Sequence, residues 1–191
     1  MLITAPLLAA ALCIPASRAA AWAPVMGEAL ALADVSSAER LACWLAQVGH
    51  ETMRLRLVRE LWGPTPAQLR YEPCTTLSRT LGNVAAGDGR RFLGRGLIQV
   101  TGRGNHRATT AGLRLLLGAD VPDFEAQPQA LEQPRWAALS AALYWRNRGL
   151  NAWADSGDFV TLTRRINGGT NGLADRQALR AQAWAAIMAG G

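Results

Sequence analysis

The chain has 191 residues, half of them apolar, which is enough for one well-buried core and short for two independent domains. Its formal charge is +6 and its cationic side chains are all arginine; the absence of lysine excludes a Walker-type phosphate loop and Schiff-base catalysis. Ala and Leu dominate while β-branched residues are few, so composition predicts a mainly α protein.

The charge is unevenly placed. Between Arg40 and Arg114, twelve arginines stand against four acids: Glu51, Glu60, Glu72 and Asp88. Such an excess suits a polyanionic partner, nucleic acid or an anionic cell wall, although scattered arginine more often marks a solvated surface. Cys13, Cys43 and Cys74 are an odd count without tight spacing, in or near apolar segments. They read as buried free thiols in a protein made under reducing conditions.

In chain order, Met1 to Ala21 has the apolar run and small residues of a signal peptide. No Lys or Arg precedes Arg18, and Pro6 and Pro15 break a run already too short to span a bilayer. Residues 1–15 are read as an opening helix capped by Thr4 within a single domain of residues 1–191, with cleavage as the alternative. A second helix is predicted from Pro15 to about Leu32, kinked or split at Pro24. Ser36 with Glu39 forms a capping-box signature, and Leu41, Trp44, Leu45 and Val48 give the following helix one core face.

That helix ends in Gln47-Val48-Gly49-His50-Glu51. Glu51 falls beside the apolar stripe, where partial burial suits a proton donor. Glu60 follows nine residues later, and on a straight helix the two would lie on opposite sides, about 13 Å apart along the axis. For both to act on one substrate the chain must turn between them. The Arg/Leu alternation from Arg54 to Arg59 predicts a short strand that would return Glu60 across a groove. Two facing carboxyls are what hydrolysis of a glycosidic bond needs.

Gly63, Pro64 and Pro66 predict a turn after Trp62, a residue that could line a groove or fill the core. Ala67 to Tyr71 adds a helical turn, and Cys74 to Gly89 reads as loop. Six glycines between Gly87 and Gly104 imply positive φ angles or a closely packed backbone. A phosphate loop fails there for want of a preceding strand, a GxGxxG and a lysine. Asn105 is predicted to cap a helix through Leu117, closed by Gly118 and Pro122. After a polar connector to Pro134, a buried helix carries Trp136, Leu139 and Leu143 and ends at Gly149. Asp155 or Ser156 caps the next, with Phe159, Leu162 and Ile166 inward and an end at Asn167-Gly168-Gly169. A last helix carries Leu179, Ala183 and Ile187.

His50-Glu51 does not open a zinc-protease HExxH, because the fifth residue is Arg54. With His50 and His106 as the two histidines, neither a metal nor a cofactor is expected. No GxSxG elbow or Cys/His pair is present. By itself, a glutamate at a helix end is more often a surface or salt-bridged residue than a catalyst.

Three runs change that balance: LAQVGHET at 45–52, GDGRRFLGRGLIQVTGRGN at 87–105 and RRINGGTNGLADR at 164–176. Together with Glu60 and the WGPTPAQ turn they resemble the glycoside hydrolase family 19 chitinases, and especially their phage and bacterial endolysin relatives, over about Leu41 to Ala181. The resemblance implies a lysozyme-like, mainly α domain with a small β element beside an open substrate cleft. It implies inverting cleavage of β-1,4 bonds between N-acetylated sugars, with peptidoglycan favoured and the protein acting as an endolysin or muramidase. Carried across by motif, Glu51 is the general acid, Glu60 the general base, and Thr101 holds the attacking water. Gln99, Asn105 and Asn167 would bind sugar or acetamido groups, and Arg176 would orient or charge-balance the carboxylates. The expected protein is a monomer made in the cytoplasm and acting at the cell wall, without nucleic acid or membrane insertion. A chitinase acting on chitin oligomers and a non-catalytic glycan-binding module are the alternatives. His106 stands where relatives often carry Tyr, Asn171 where plant chitinases usually carry an acid, and the short stretch from Glu60 to Gly87 implies few subsites.

Overall fold

The computed structural model describes residues 3–190, so the first two residues of the signal-like segment lie outside the described residues. Its helices are α1 (Ala5–Leu12), α2 (Ala16–Leu32), α3 (Ala38–Glu51), α4 (Pro66–Leu69), α5 (Thr76–Leu81), α6 (Asp88–Arg91), α7 (Arg103–Leu117), α8 (Pro134–Asn147), α9 (Leu150–Asp155), α10 (Phe159–Asn167) and α11 (Leu173–Ala189), with a 3-10 turn at Pro128–Glu132 before α8. They form two compact units, one of Met1–Leu57 with Ala141–Gly191 and one of Val58–Ser140. The fold is mainly α, as the composition predicts.

In the first unit α3 is the central element. The Ser37 hydroxyl, not Ser36, caps it by accepting from the Arg40 N–H. Glu39 is drawn instead into a pair with Arg180 of α11. The predicted stripe Leu41, Trp44, Leu45 and Val48 is fully buried, and α3 packs chiefly on α11 through Leu179, Ala183 and Ile187. Each such large side chain removed from water contributes about 1.5–3 kcal/mol. Trp44 meets Trp145 edge-on at 5.2 Å, and its indole N–H donates to Met26 Sδ. Gly49 permits the close approach of α1, since a Cβ there would lie 2.8 Å from Leu12.

Thr4 caps α1 as expected, accepting from the Leu7 N–H. Helix α2 runs unbroken through Pro24, which removes one backbone donor without dividing the helix. Asp158, not Asp155 or Ser156, caps α10 by accepting from the Thr161 N–H at 2.9 Å. Asp155 ends the additional helix α9 and holds Arg40 in a two-point ion pair. No single helix among the described residues is long and apolar enough to cross a membrane.

The strand expected over Arg54–Arg59 does not form. Met53, Arg54 and Leu55 all adopt positive φ, the Arg54 N–H bonds back to Gly49 O at 2.7 Å, and Thr52 Oγ1 accepts from the Leu55 N–H. Helix-terminal hydrogen bonds thus claim the backbone that alternation alone assigned to a sheet. The small β element is reduced, among the described residues, to isolated antiparallel bridges from Arg95 to Arg59 and to Val100.

In the second unit, the stretch read as loop from Cys74 to Gly89 contains α5, opened by a capping box between Thr75 and Ser78, and the start of α6. Helix α7 starts at Gly102, not at Asn105. Gly102 has φ +93°, and a Cβ there would lie 2.5 Å from Leu81 O, so no other residue fits. Phe92, Leu97, Leu113, Phe124 and Leu131 form the core.

Two expectations about surface chemistry change. Cys43 is buried, which pushes its thiol up to about 12, but Cys13 and Cys74 are exposed; all three are free. The basic central segment is neutralised in part by acids, several from beyond its ends. Arg40 pairs with Asp155 and Asp34, Arg54 with Asp175, Arg95 with Glu132, and Arg103 with Asp88 and Glu125.

Candidate active site

The residues singled out by sequence divide between the units: Glu51, Asn167 and Arg176 in the first, Glu60, Gln99, Thr101 and Asn105 in the second. Each half has its own construction.

Glu51 is the last residue of α3, with 23% of its side chain exposed. Its Oε1 accepts from Arg176 Nη2 at 2.5 Å. Arg176, in the first turn of α11, is almost completely buried, so its charge is held entirely by protein groups. Nη1 donates to Gln47 Oε1 and Nε to the Asn171 carbonyl at 3.3 Å. Gln47 is itself buried and passes its amide on to Thr163 Oγ1 at 2.8 Å. A continuous relay, Glu51–Arg176–Gln47–Thr163, therefore ties together α3, α11 and α10. The preceding residue on each helix repeats the pairing, with His50 Nδ1 2.6 Å from Asp175 Oδ2 and Arg54 also reaching Asp175.

Besides Glu51, Arg176 is thus held by the Asn171 backbone carbonyl and by Gln47. Sequence reading missed Gln47, although a glutamine on the apolar face of α3, one turn before Glu51, was the available signal. Asn167 is occupied in shaping its own turn: Oδ1 accepts from the Gly169 N–H and Nδ2 donates to Asn171 O at 2.9 Å. It thereby holds the carbonyl that Arg176 uses.

Glu60 is half-buried and fixed at both ends. Its backbone N–H donates to Gly94 O at 2.8 Å, and the Gly94 N–H donates to Glu60 Oε2 at 3.0 Å. Oε1 accepts from Gln68 Nε2 at 2.9 Å and from the Tyr71 hydroxyl at 3.3 Å. Burial, followed by the neighbouring Glu60, raises the Tyr71 phenol above its ordinary value, so it stays protonated and able to donate. Trp62, half-exposed, stands 6.4 Å from the Tyr71 ring.

The glycine-rich loop presents the remaining residues. Arg95 is buried, bonded to Glu132 and to the carbonyls of Arg91 and Leu93, and exchanges backbone hydrogen bonds with Val100. That closed loop leaves Gln99 exposed and Thr101 half-buried; neither side chain hydrogen-bonds within the protein among the described residues. Asn105 lies in the first turn of α7 and donates to the Thr101 carbonyl at 2.7 Å, so it props the backbone of the proposed water-binding threonine. His106 is buried against Phe92 at 5.2 Å with Nδ1 on Gly102 O, so it has no face to offer a sugar. Burial pushes it down to about 4, and its Nε2 has no partner.

With this geometry in hand, the mainly helical fold can be matched to a solved chitinase. Chitinase C from Streptomyces griseus HUT6037 aligns with 97% of this chain and 76% of its own, with a TM-score of 0.68 at 21% identity. In sequence the chain resembles glycoside hydrolase family 19. A "Glycosyl hydrolase family 19 domain-containing protein" of Haemophilus influenzae (strain ATCC 51907 / DSM 11121 / KW20 / Rd) is 38% identical over 96 residues, half of this chain. The chain spans 42% of that relative's length. No family model matches the chain.

Proposed function

We propose that this chain is an inverting glycoside hydrolase that cleaves β-1,4 bonds between N-acetylated sugars, with peptidoglycan as its substrate. The observation that carries the reading is the setting of Glu60: a half-buried carboxylate held by three neutral donors, one of them an amide of the glycine-rich motif. A base must be fixed yet reachable by water, and donors without charge fix a carboxylate while leaving it a proton acceptor. In this reading Glu60 takes a proton from water, Thr101 Oγ1 holds that water, and Glu51 protonates the leaving glycosidic oxygen. Arg176 orients Glu51, and Gln99 meets the sugar. The two carboxylates serve one single-displacement reaction. No cofactor enters it, and the enzyme works as a monomer at the cell wall after synthesis in the cytoplasm.

Peptidoglycan is favoured over chitin by the endolysin-like motifs and by the exposed Arg70, Arg79 and Arg90, which suit an anionic polymer. The test is digestion of purified peptidoglycan and of chitin oligomers, with reducing ends identified by mass spectrometry and the first anomer formed read by NMR. N-acetylmuramic acid ends of inverted configuration are expected. Cleavage of chitin alone would replace the substrate. Binding to both without any cleavage would make the chain a glycan-binding module.

A further inference from the structure

The turn Trp62-Gly63-Pro64-Thr65-Pro66-Ala67-Gln68 and the Tyr71 that follows supply both side-chain donors to Glu60. Gln68 is the hub. It is 4% exposed, and all of its amide is used: Oε1 accepts from the N–H groups of Thr65 and Gly63 at 2.8 and 3.2 Å, while Nε2 donates to Leu61 O and Glu60 Oε1 at 2.7 and 2.9 Å. The Thr65 hydroxyl in turn accepts from the Gln68 N–H, closing a capping box at the start of α4. A glutamine that only capped α4 would have no reason to reach the carboxylate. This one spends its fourth hydrogen bond there. Tyr71, less than one helical turn further on, adds its hydroxyl to the same oxygen, Oε1.

Oε1 thus carries two side-chain donors and Oε2 one backbone donor. Both oxygens are fixed in position and in rotation, and of the roughly four acceptor positions of an ionised carboxylate the one left for water lies on Oε2. We infer that Gln68 and Tyr71 are positioning residues for Glu60: they set the rotamer in which its carboxylate receives the proton of the attacking water. The inference rests on the assignment of Glu60 as the base. Neither residue touches the sugar in this account, so their loss should lower turnover and leave substrate affinity unchanged.

The experiment measures kcat and KM on a soluble peptidoglycan fragment for Tyr71→Phe, Gln68→Glu and Glu60→Gln, with a thermal melt of each. Tyr71→Phe deletes one hydroxyl and should reduce kcat about tenfold, with KM within about twofold of wild type. Gln68→Glu keeps the acceptor for Thr65 and Gly63 but turns the donor beside Glu60 into a second carboxylate, and should cost about a hundredfold in kcat. Tyr71→Phe keeps the proposal testable if Gln68→Glu fails to fold. An unchanged kcat in Tyr71→Phe, or equal changes in kcat and KM in both variants, would overturn the positioning role while Glu60→Gln remains inactive. An active Glu60→Gln would instead remove the base assignment, and this inference with it.

Discussion

The two candidate carboxylates are held in opposite ways. Glu51 is fixed by a cation, Arg176, whose own place depends on Gln47 and on the Asn171 carbonyl. Its partner comes from a helix 125 residues further along the chain. Glu60 is fixed by three neutral donors, two of them within eleven residues and the third 34 residues away. A buried arginine has no water to turn to, so an ion pair of this kind orients a carboxylate strongly but makes its setting depend on tertiary packing. Neutral amide and phenol donors cost less to bury and can be supplied by a tight turn. The chain therefore uses long-range electrostatics where a helix end must be anchored and local turn chemistry where a carboxylate must stay open to water.

The largest effects should come from removing each carboxylate in turn. Glu51→Gln and Glu60→Gln are each expected to lower kcat by about 10²–10⁴-fold, the range for general acid–base groups. Release of reducing sugar from purified wall measures this, and near-wild-type turnover in either variant would end the comparison as a catalytic one.

Acid should next separate the two units. His106 is buried and held neutral, with a folded-state value of about 4 against 6.5 in the unfolded chain. Its contribution is full above pH 6.5 and is lost as the pH falls toward 4, by up to about 3 kcal/mol, because the unfolded state binds the proton first. Asp88 acts in a lower window: burial opposes its charge, but Arg103 and the Ala85 and Val84 amides prevail and hold it to about 2. Its contribution is present above about pH 3.8 and disappears as the pH falls through 2. Hydrogen exchange between pH 7 and 4 should show protection falling first in the second unit, and His106→Leu should flatten that dependence.

Arg176→Met should destabilise the first unit by about 1–3 kcal/mol, less than breaking a fully buried pair because Glu51 keeps contact with water. Denaturant melts would measure it, and a change within about 0.3 kcal/mol would show that the relay orients Glu51 without stabilising the helices. The smallest effect, about 1 kcal/mol, is expected for Thr65→Ala, which removes the cap that fixes Gln68. A modest fall in kcat should accompany it, since the same turn carries the donor to Glu60.

The helical character of the chain, the buried stripes of α3, α8 and α11, the Thr4 cap and the end of α10 were all legible in the sequence. Each depends on residues within a few positions of one another, where periodicity and end signals act directly. The motifs likewise carried the resemblance to family 19 and named both glutamates. What sequence could not supply was the competition among partners. Alternation from Arg54 to Arg59 lost to helix-end hydrogen bonds, Ser37 displaced Ser36, and α7 opened after Gly102, upstream of Asn105. Part of the basic excess of the central segment was matched by acids folded in from elsewhere, and Gln47 and Gln68 became hubs only when distant or turn-forming groups converged on them. Short-range preferences depend on spacing alone and can be read from the chain. The choice of hydrogen-bond and ion-pair partners depends on which groups burial leaves within reach, and that is decided only by the tertiary structure.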